Sequence, residues 1–511
     1  MLERYVKKIL SSRVYDVAVE TPLQPARALS KRTGARVLLK REDMQPVFSF
    51  KIRGAYNKIV QLSEEERARG VIAASAGNHA QGVALAAREL DLKAVIVMGR
   101  NTPSIKVDAV RELGARVVLH GDGFDDAKGH AEELMARHGY TFVHPYDDIE
   151  VIAGQGTVGL EIMTQNGRPP DAIFVPVGGG GLIAGISAYV KYLSPSTRII
   201  GVEAEGSACL AAAMQAGRRV ILPFETLDLF ADGVSVAQVG KETFKVARRC
   251  VDEVITVSTD EICAAIKDLF DDTRAIAEPA GALSVAGLKK YADRQRSQRD
   301  AADGAPTLVA VVSGANVNFD RLRHISERAE VGEQREAILG VTIPEVAGSF
   351  RRFCQTLGKR SVSEFNYRFA SADEAHVYVG LQVGSPDDRR AVIATLTDAG
   401  YAVQDMTDNE AAKLHVRHMV GGRTLAGKSE LLYRFEFPER PGALLRFLSG
   451  LGGDWNITMF HYRNHGAAWG RVLVGFEAGR TERRRLNGAL ERIGYRFWEE
   501  TENPAYALFL R

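Results

Sequence analysis

Between about residues 36 and 316 the chain alternates short apolar runs with longer stretches of helical periodicity. The runs are RVLLK (36–40), VIAAS (71–75), AVIVM (94–98), RVVLH (116–120), AIFVPV (172–177), RIIGVEA (198–204) and TLVAVVS (307–313). They are apolar nearly throughout instead of alternating, as expected of strands covered on both faces. NHAQGVALAAREL (78–90), DDAKGHAEELMARHG (125–139) and LIAGISAYVKYL (182–193) read as helices between them. Strand, helix, strand repeated this way predicts an α/β body with mainly parallel sheets, whose ligands bind at the C-terminal ends of the strands.

Past residue 330 the rhythm changes. A charged helical stretch (325–337) reads as a connector, and beyond it the sequence repeats itself. IPEVAGSFRRF (343–353) matches FPERPGALLRF (437–447): Pro344, Glu345, Gly348, Arg352 and Phe353 coincide with Pro438, Glu439, Gly442, Arg446 and Phe447. FNYR (365–368) then matches FHYR (460–463), and VYVG (377–380) matches VLVG (472–475), with the offset kept within one residue. Each copy reads strand, helix, strand, strand, helix, strand, the ferredoxin-like α+β order. Two such modules either hold an oligomer together or sense a small molecule.

Composition narrows the class. The 511 residues suggest about three domains. Basic and acidic residues, 66 against 64, leave no concentrated positive footprint of the kind nucleic-acid binding needs. No apolar run approaches membrane-span length. The segment MLERYVKKILSSR has no signal-peptide core, so a cytoplasmic protein is expected. Four scattered cysteines (Cys209, Cys250, Cys263, Cys354), none in CxxC spacing, predict buried reduced thiols and no zinc ribbon or other metal site.

Four segments carry candidate chemistry. Lys51 in SFKIRG sits among apolar neighbours at a predicted helix start; a desolvated lysine can form a Schiff base, although many lysines beside a phenylalanine are surface groups. Ser75, Ala76, Gly77 and Asn78 follow VIAA and open a helix, as an anion site or as a plain cap. His79 reads as structural. Gly178, Gly179, Gly180, Gly181 and Leu182 form a phosphate cradle after AIFVPV. The same glycines also fit a dinucleotide fingerprint, with Glu203 as the ribose acid. Ser313, ending the last buried run, either faces a cofactor ring or caps a turn. Together the four make a complete site for pyridoxal phosphate, whereas a dinucleotide needs neither Lys51 nor Ser313.

The sequence also closely resembles the biosynthetic threonine dehydratases (threonine ammonia-lyases). The resemblance lies in KREDMQPVFSFKIRGAYNK, SAGNHAQGVA, VIAGQGTVG, VGGGGLIAG, AEPAGALSVAG and SGANVNF, then PEVAGSF, FNYRF, FPERPGALLRF and FHYRNHG. It runs from residue 39 to about 466. It implies a fold-type II pyridoxal-phosphate catalytic domain, tryptophan-synthase-β-like, over 1–325, and a connector over 326–336. Two ACT-like modules, over 337–411 and 430–502, follow. Residue by residue, it implies that Lys51 carries the cofactor as an internal aldimine and that Asn78 meets its ring hydroxyl oxygen. Gly178 to Leu182 would hold the phosphate and Ser313 the pyridine nitrogen. Ser75, Ala76 and Gly77 would take the substrate carboxylate, so that Ser75 joins Lys51 in acting on substrate. Phe48 departs from relatives that often have histidine there, and no acid–base role is assigned to it. The implied reaction turns L-threonine into 2-oxobutanoate and ammonia, the committed step of isoleucine biosynthesis. L-serine stays open as a substrate, and isoleucine would inhibit while valine activates, in a homotetramer. An NAD oxidoreductase and a catalytically dead sensor are the competing classes.

Overall fold

The computed structural model describes residues 2–100, 102–121, 124–223, 226–296, 304–319, 321–332, 335–368, 373–409, 412, 429–438, 442–452, 455–463, 469–479 and 481–503. Glu439, Phe369 and residues 464–466 of the repeat motifs lie outside these, as does residue 411, the expected end of the first module. The chain divides into two compact units, Met1–Gly332 and Glu333–Arg511.

In the first unit all seven apolar runs are strands. They are β2 (Arg36–Arg41), β3 (Val71–Ala74), β4 (Ala94–Met98), β5 (Arg116–Leu119), β7 (Ala172–Pro176), β8 (Arg198–Ala204) and β10 (Thr307–Val312). Three further strands, β1 (Leu23–Pro25), β6 (Thr141–Phe142) and β9 (Glu253–Val257), are short or polar. A six-stranded sheet runs β1-β2-β10-β7-β8-β9, parallel apart from β1, and a four-stranded parallel sheet runs β5-β4-β3-β6.

The helix Ile149–Asn166 joins the two helices that matter most for the site. A Cβ on its Gly154 would lie 2.6 Å from the Arg53 carbonyl of helix Lys51–Ile59. A Cβ on Gly185 of helix Gly181–Leu193 would lie 2.5 Å from the Ile152 carbonyl. Only glycine lets backbones approach this closely, which is why VIAGQGTVG is glycine-rich. Buried charge completes the anchor. Arg53 pairs with Glu42 (Nε to Oε2, 2.7 Å) and Glu161 (Nη1 to Oε1, 2.5 Å), and Lys40 also reaches Glu161 at 2.5 Å. All four side chains are within 1% of full burial, so each charge depends on its partners. The four thiols are buried and unbridged.

The second unit is one eight-stranded antiparallel sheet. Its first module contributes β11 (Glu336–Pro344), β12 (Val362–Arg368), β13 (Glu374–Gln382) and β14 (Ala402–Asp405). Its second contributes β15 (Glu430–Pro438), β16 (Asn456–Arg463), β17 (Trp469–Glu477) and β18 (Arg496–Glu499). The order is β14-β11-β13-β12-β16-β17-β15-β18. The modules meet where β12 pairs with β16, and the matched FNYR and FHYR segments are the ones in contact. Phe365 faces Tyr462, Asn366 faces His461 and Tyr367 faces Phe460. Equivalent residues therefore lie about a local two-fold axis that passes between Asn366 and His461. Phenylalanines and tyrosines fill the core, with Phe435, Phe437 and Phe447 in mutual edge or tilted contact at 4.8–5.9 Å.

Candidate active site

Phe48 turns the chain into the site. Its φ of +54° lies in the left-handed region, strained for a bulky side chain. The turn pairs Ser49 with Gly314, and Phe50 N–H donates to the Ser313 carbonyl at 3.2 Å. Lys51 then opens its helix beside the end of β10, and its Nζ donates to the Pro145 carbonyl at 2.8 Å. The next residue, Tyr146, lies on the glycine loop: a Cβ on Gly179 would be 2.3 Å from its ring, and one on Gly181 would be 3.1 Å from its backbone. A Cβ on Gly178 would meet Val234 at 2.9 Å, and Gly233 of the same turn approaches the Asn78 amide. Asn78 accepts from Asn316 Nδ2 at 2.6 Å, three residues beyond Ser313. Lys51, Asn78, the glycine loop and Ser313 thus converge at the ends of β3, β7 and β10.

Two helix starts face this space. Gly180, at the N-cap of Gly181–Leu193, and Gly77, at the N-cap of Asn78–Glu89, carry no capping side chain. First-turn N–H groups have no intrahelical acceptor, so both starts suit anions. A Cβ on Gly77 would meet nothing within 4 Å, which leaves room for a ligand beside Ser75 and Ala76.

Electrostatics separates these residues further. Burial pushes the Lys51 ammonium down to about 8, against the opposing pull of Glu278. Burial raises Glu278 to about 7, while its hydrogen bond with Asn78 opposes the shift. His79 is pushed down to about 3 by burial; with Nε2 2.8 Å from the Val143 carbonyl, it is a neutral structural histidine. The dinucleotide alternative fails at Glu203, which is fully buried and accepts from Leu210 N–H and Ala211 N–H at 2.8 Å. That carboxylate is committed to the start of the helix Cys209–Ala216 and cannot meet a ribose.

Sequence reading missed Glu278, Asn316 and the 144–147 turn. Neutral His144 accepts from Asp147 N–H at 2.8 Å, and Asp147 accepts from Lys241 and Glu242 N–H at 2.8 and 2.7 Å. A glutamate in the apolar AEPAGA and an amide one turn past Ser313 were the available signals.

The second unit has a pocket of its own, at the seam between its modules. Ile343, Glu345, Arg351 and Tyr367 of the first module line it with Leu448 and Asn456 of the second. The Glu345 carboxylate is buried, accepting from Tyr367 hydroxyl at 2.5 Å and Asn456 Nδ2 at 3.2 Å. Arg351 Nε is buried with no hydrogen-bond partner among the described residues.

A buried lysine with a lowered pKa, a glycine loop at a helix start and a buried terminal-strand serine on two mainly parallel sheets are the features of a pyridoxal-phosphate enzyme. Residues 14–314 match the family of pyridoxal-phosphate dependent enzymes, and residues 327–416 and 421–510 each match the C-terminal regulatory domain of threonine dehydratase. The chain is 53% identical over 509 residues to the L-threonine dehydratase biosynthetic IlvA of Burkholderia multivorans, covering 99% of each chain. It is also 53% identical to that of Escherichia coli, covering 99% of this chain and 97% of the other. The solved processed form of threonine deaminase isoform 2 from Solanum lycopersicum matches 64% of this chain and 93% of its own, with 48% identity and a TM-score of 0.62. The chain belongs to the biosynthetic threonine dehydratases, pyridoxal-phosphate-dependent lyases with a C-terminal regulatory region.

Proposed function

We propose that the residues gathered around Lys51 divide the conversion of L-threonine to 2-oxobutanoate and ammonia among them. Bound there, pyridoxal phosphate supplies the electron sink that acidifies the substrate Cα–H. Lys51 would hold the cofactor, and its Nζ would be the base that takes the substrate Cα proton. Its lowered pKa keeps a useful share of neutral amine near neutral pH. Gly178 to Leu182 grip the phosphate at the start of Gly181–Leu193. Ser75, Ala76 and Gly77 orient the substrate carboxylate at the start of Asn78–Glu89. Ser313, buried at the end of β10, would offer the ring nitrogen a neutral hydroxyl; a carboxylate in its place would keep that nitrogen protonated and favour transamination. The observation that carries this reading is one desolvated lysine whose Nζ meets the Pro145 carbonyl, beside the Tyr146 that packs on the glycine loop.

The regulatory region, in the same reading, is a sensor of isoleucine and valine. The seam pocket offers a carboxylate (Glu345) for an ammonium, a guanidinium (Arg351) for a carboxylate, and Ile343 and Leu448 for an aliphatic side chain. We assign residues 1–325 to catalysis, 326–336 to the connector, and 337–411 and 430–502 to the ACT-like modules of a cytoplasmic homotetramer. No described helix is long and apolar enough to cross a membrane. The test is 2-oxobutanoate release from threonine and from serine, with and without isoleucine. Inhibition by isoleucine is expected, and Glu345→Ala should raise the inhibitory concentration about ten-fold. No release from threonine would overturn the catalytic reading.

A further inference from the structure

The Val47 carbonyl sets the direction of a hydrogen-bond chain that ends at the cofactor site. A backbone carbonyl only accepts, so the Asn316 atom 2.8 Å from it is Nδ2. The same nitrogen lies 2.6 Å from Asn78, which must therefore turn Oδ1 toward it. That orientation aims Asn78 Nδ2 at Glu278 Oε1, 2.6 Å away. Amide orientation is ordinarily assigned by optimising the network; here one carbonyl determines it. An amide nitrogen has two hydrogens, and Glu278 engages one of them.

Glu278 is itself firmly seated. It is 5% exposed, its N–H donates to the Gly314 carbonyl at 3.1 Å, and it immediately precedes the helix Pro279–Arg296. Its carboxylate lies over Gly314, where a Cβ would come within 2.4 Å of Oε1. Any larger residue after Ser313 would displace it.

We propose that Glu278 is a positioning residue: with Asn316 gripping the opposite side, it holds the Asn78 amide so that its second N–H faces the ring oxygen of the cofactor. The inference rests on reading Asn78 as the cofactor's ring contact. Without Glu278, Asn316 still holds Asn78 Oδ1, but nothing fixes the amide nitrogen on the other side. The Asn78 amide can then tilt about that single contact, and its second N–H loses its aim at the ring oxygen.

The test uses the full-length apoenzyme titrated with pyridoxal phosphate and followed by the visible absorbance of the lysine-bound cofactor. Borohydride trapping and peptide mapping locate the attachment. Glu278→Ala and Asn316→Ala should each weaken cofactor binding about ten-fold and shift the visible band. Because both act through Asn78, the double variant should be little weaker than the weaker single one. Glu278→Gln keeps an acceptor oxygen and should restore affinity to within about two-fold of native. A Gln variant ten-fold weaker than native, an Ala variant with native affinity and spectrum, or additive losses would each overturn the proposal. If Glu278→Ala fails to fold, the Gln and Asn316 variants decide between the same outcomes. Lys51 left unlabelled in the native protein would overturn the site reading itself, whereas labelled Lys51 with unchanged affinity in Glu278→Ala would overturn only the role of Glu278.

Discussion

The two units fill their cores with different chemistry. Among the largest fully buried side chains, the first unit holds Arg53 and Lys40 beside Tyr5 and Phe174, whereas the second holds Tyr433 and six phenylalanines. Buried charge is a poor source of net stability but a strong source of geometry, because each ion is worth keeping only with its partners in place. Aromatic packing is the reverse: it contributes stability through area and tolerates small shifts. The catalytic unit therefore uses Arg53, two residues past Lys51, as a fixed reference point. The regulatory unit fills its core with packed rings and carries a buried carboxylate, Glu345, at the seam pocket.

The largest effect that bears on this contrast is chemical. Lys51→Ala should lower 2-oxobutanoate formation at least about a thousand-fold and remove the visible cofactor band, without lowering the melting midpoint. A fully active variant would end the assignment. Next, Glu161→Ala removes the carboxylate paired with Lys40 and leaves Arg53 with Glu42 alone, and should destabilise the first unit by about 3–5 kcal/mol in denaturant unfolding. A loss under 1 kcal/mol would show that the network is not the anchor. Phe447→Leu in the second unit should cost only about 1–2 kcal/mol, measured the same way, if its aromatic core adapts. The smallest effect belongs to Asp388, held near 2 chiefly by its paired hydrogen bonds to Arg360. Its folded pKa lies below the unfolded value, so the stabilisation is present above about pH 4 and is lost as pH falls toward 2. The pair is partly exposed, so Asp388→Asn should change stability by a few tenths of a kcal/mol at pH 7 and by nothing at pH 2.

Much of this was legible in residues whose neighbours share one requirement. Strands covered on both faces must be apolar throughout, and all seven such runs are strands. β9 escaped notice because EVITV alternates, and β6 because two residues carry no period. At the site, Lys51 and the glycine loop announce themselves by unusual context. Glu278 does not, because its role depends on Asn78, 200 positions away in the chain. Glu203 shows the converse. Its spacing suits a ribose, but two backbone N–H groups already occupy it, and only the fold brings them there.

The axis between Asn366 and His461 has a consequence for regulation at low protein concentration. A pair of separate sensor domains comes apart on dilution, so its response would vary with how much enzyme the cell makes. Here both halves belong to one polypeptide, each always present to the other at a fixed effective concentration. Covalent fusion makes the regulatory pair independent of expression level, and it also frees each half to drift in sequence, since no mutation need now suit two identical copies at once.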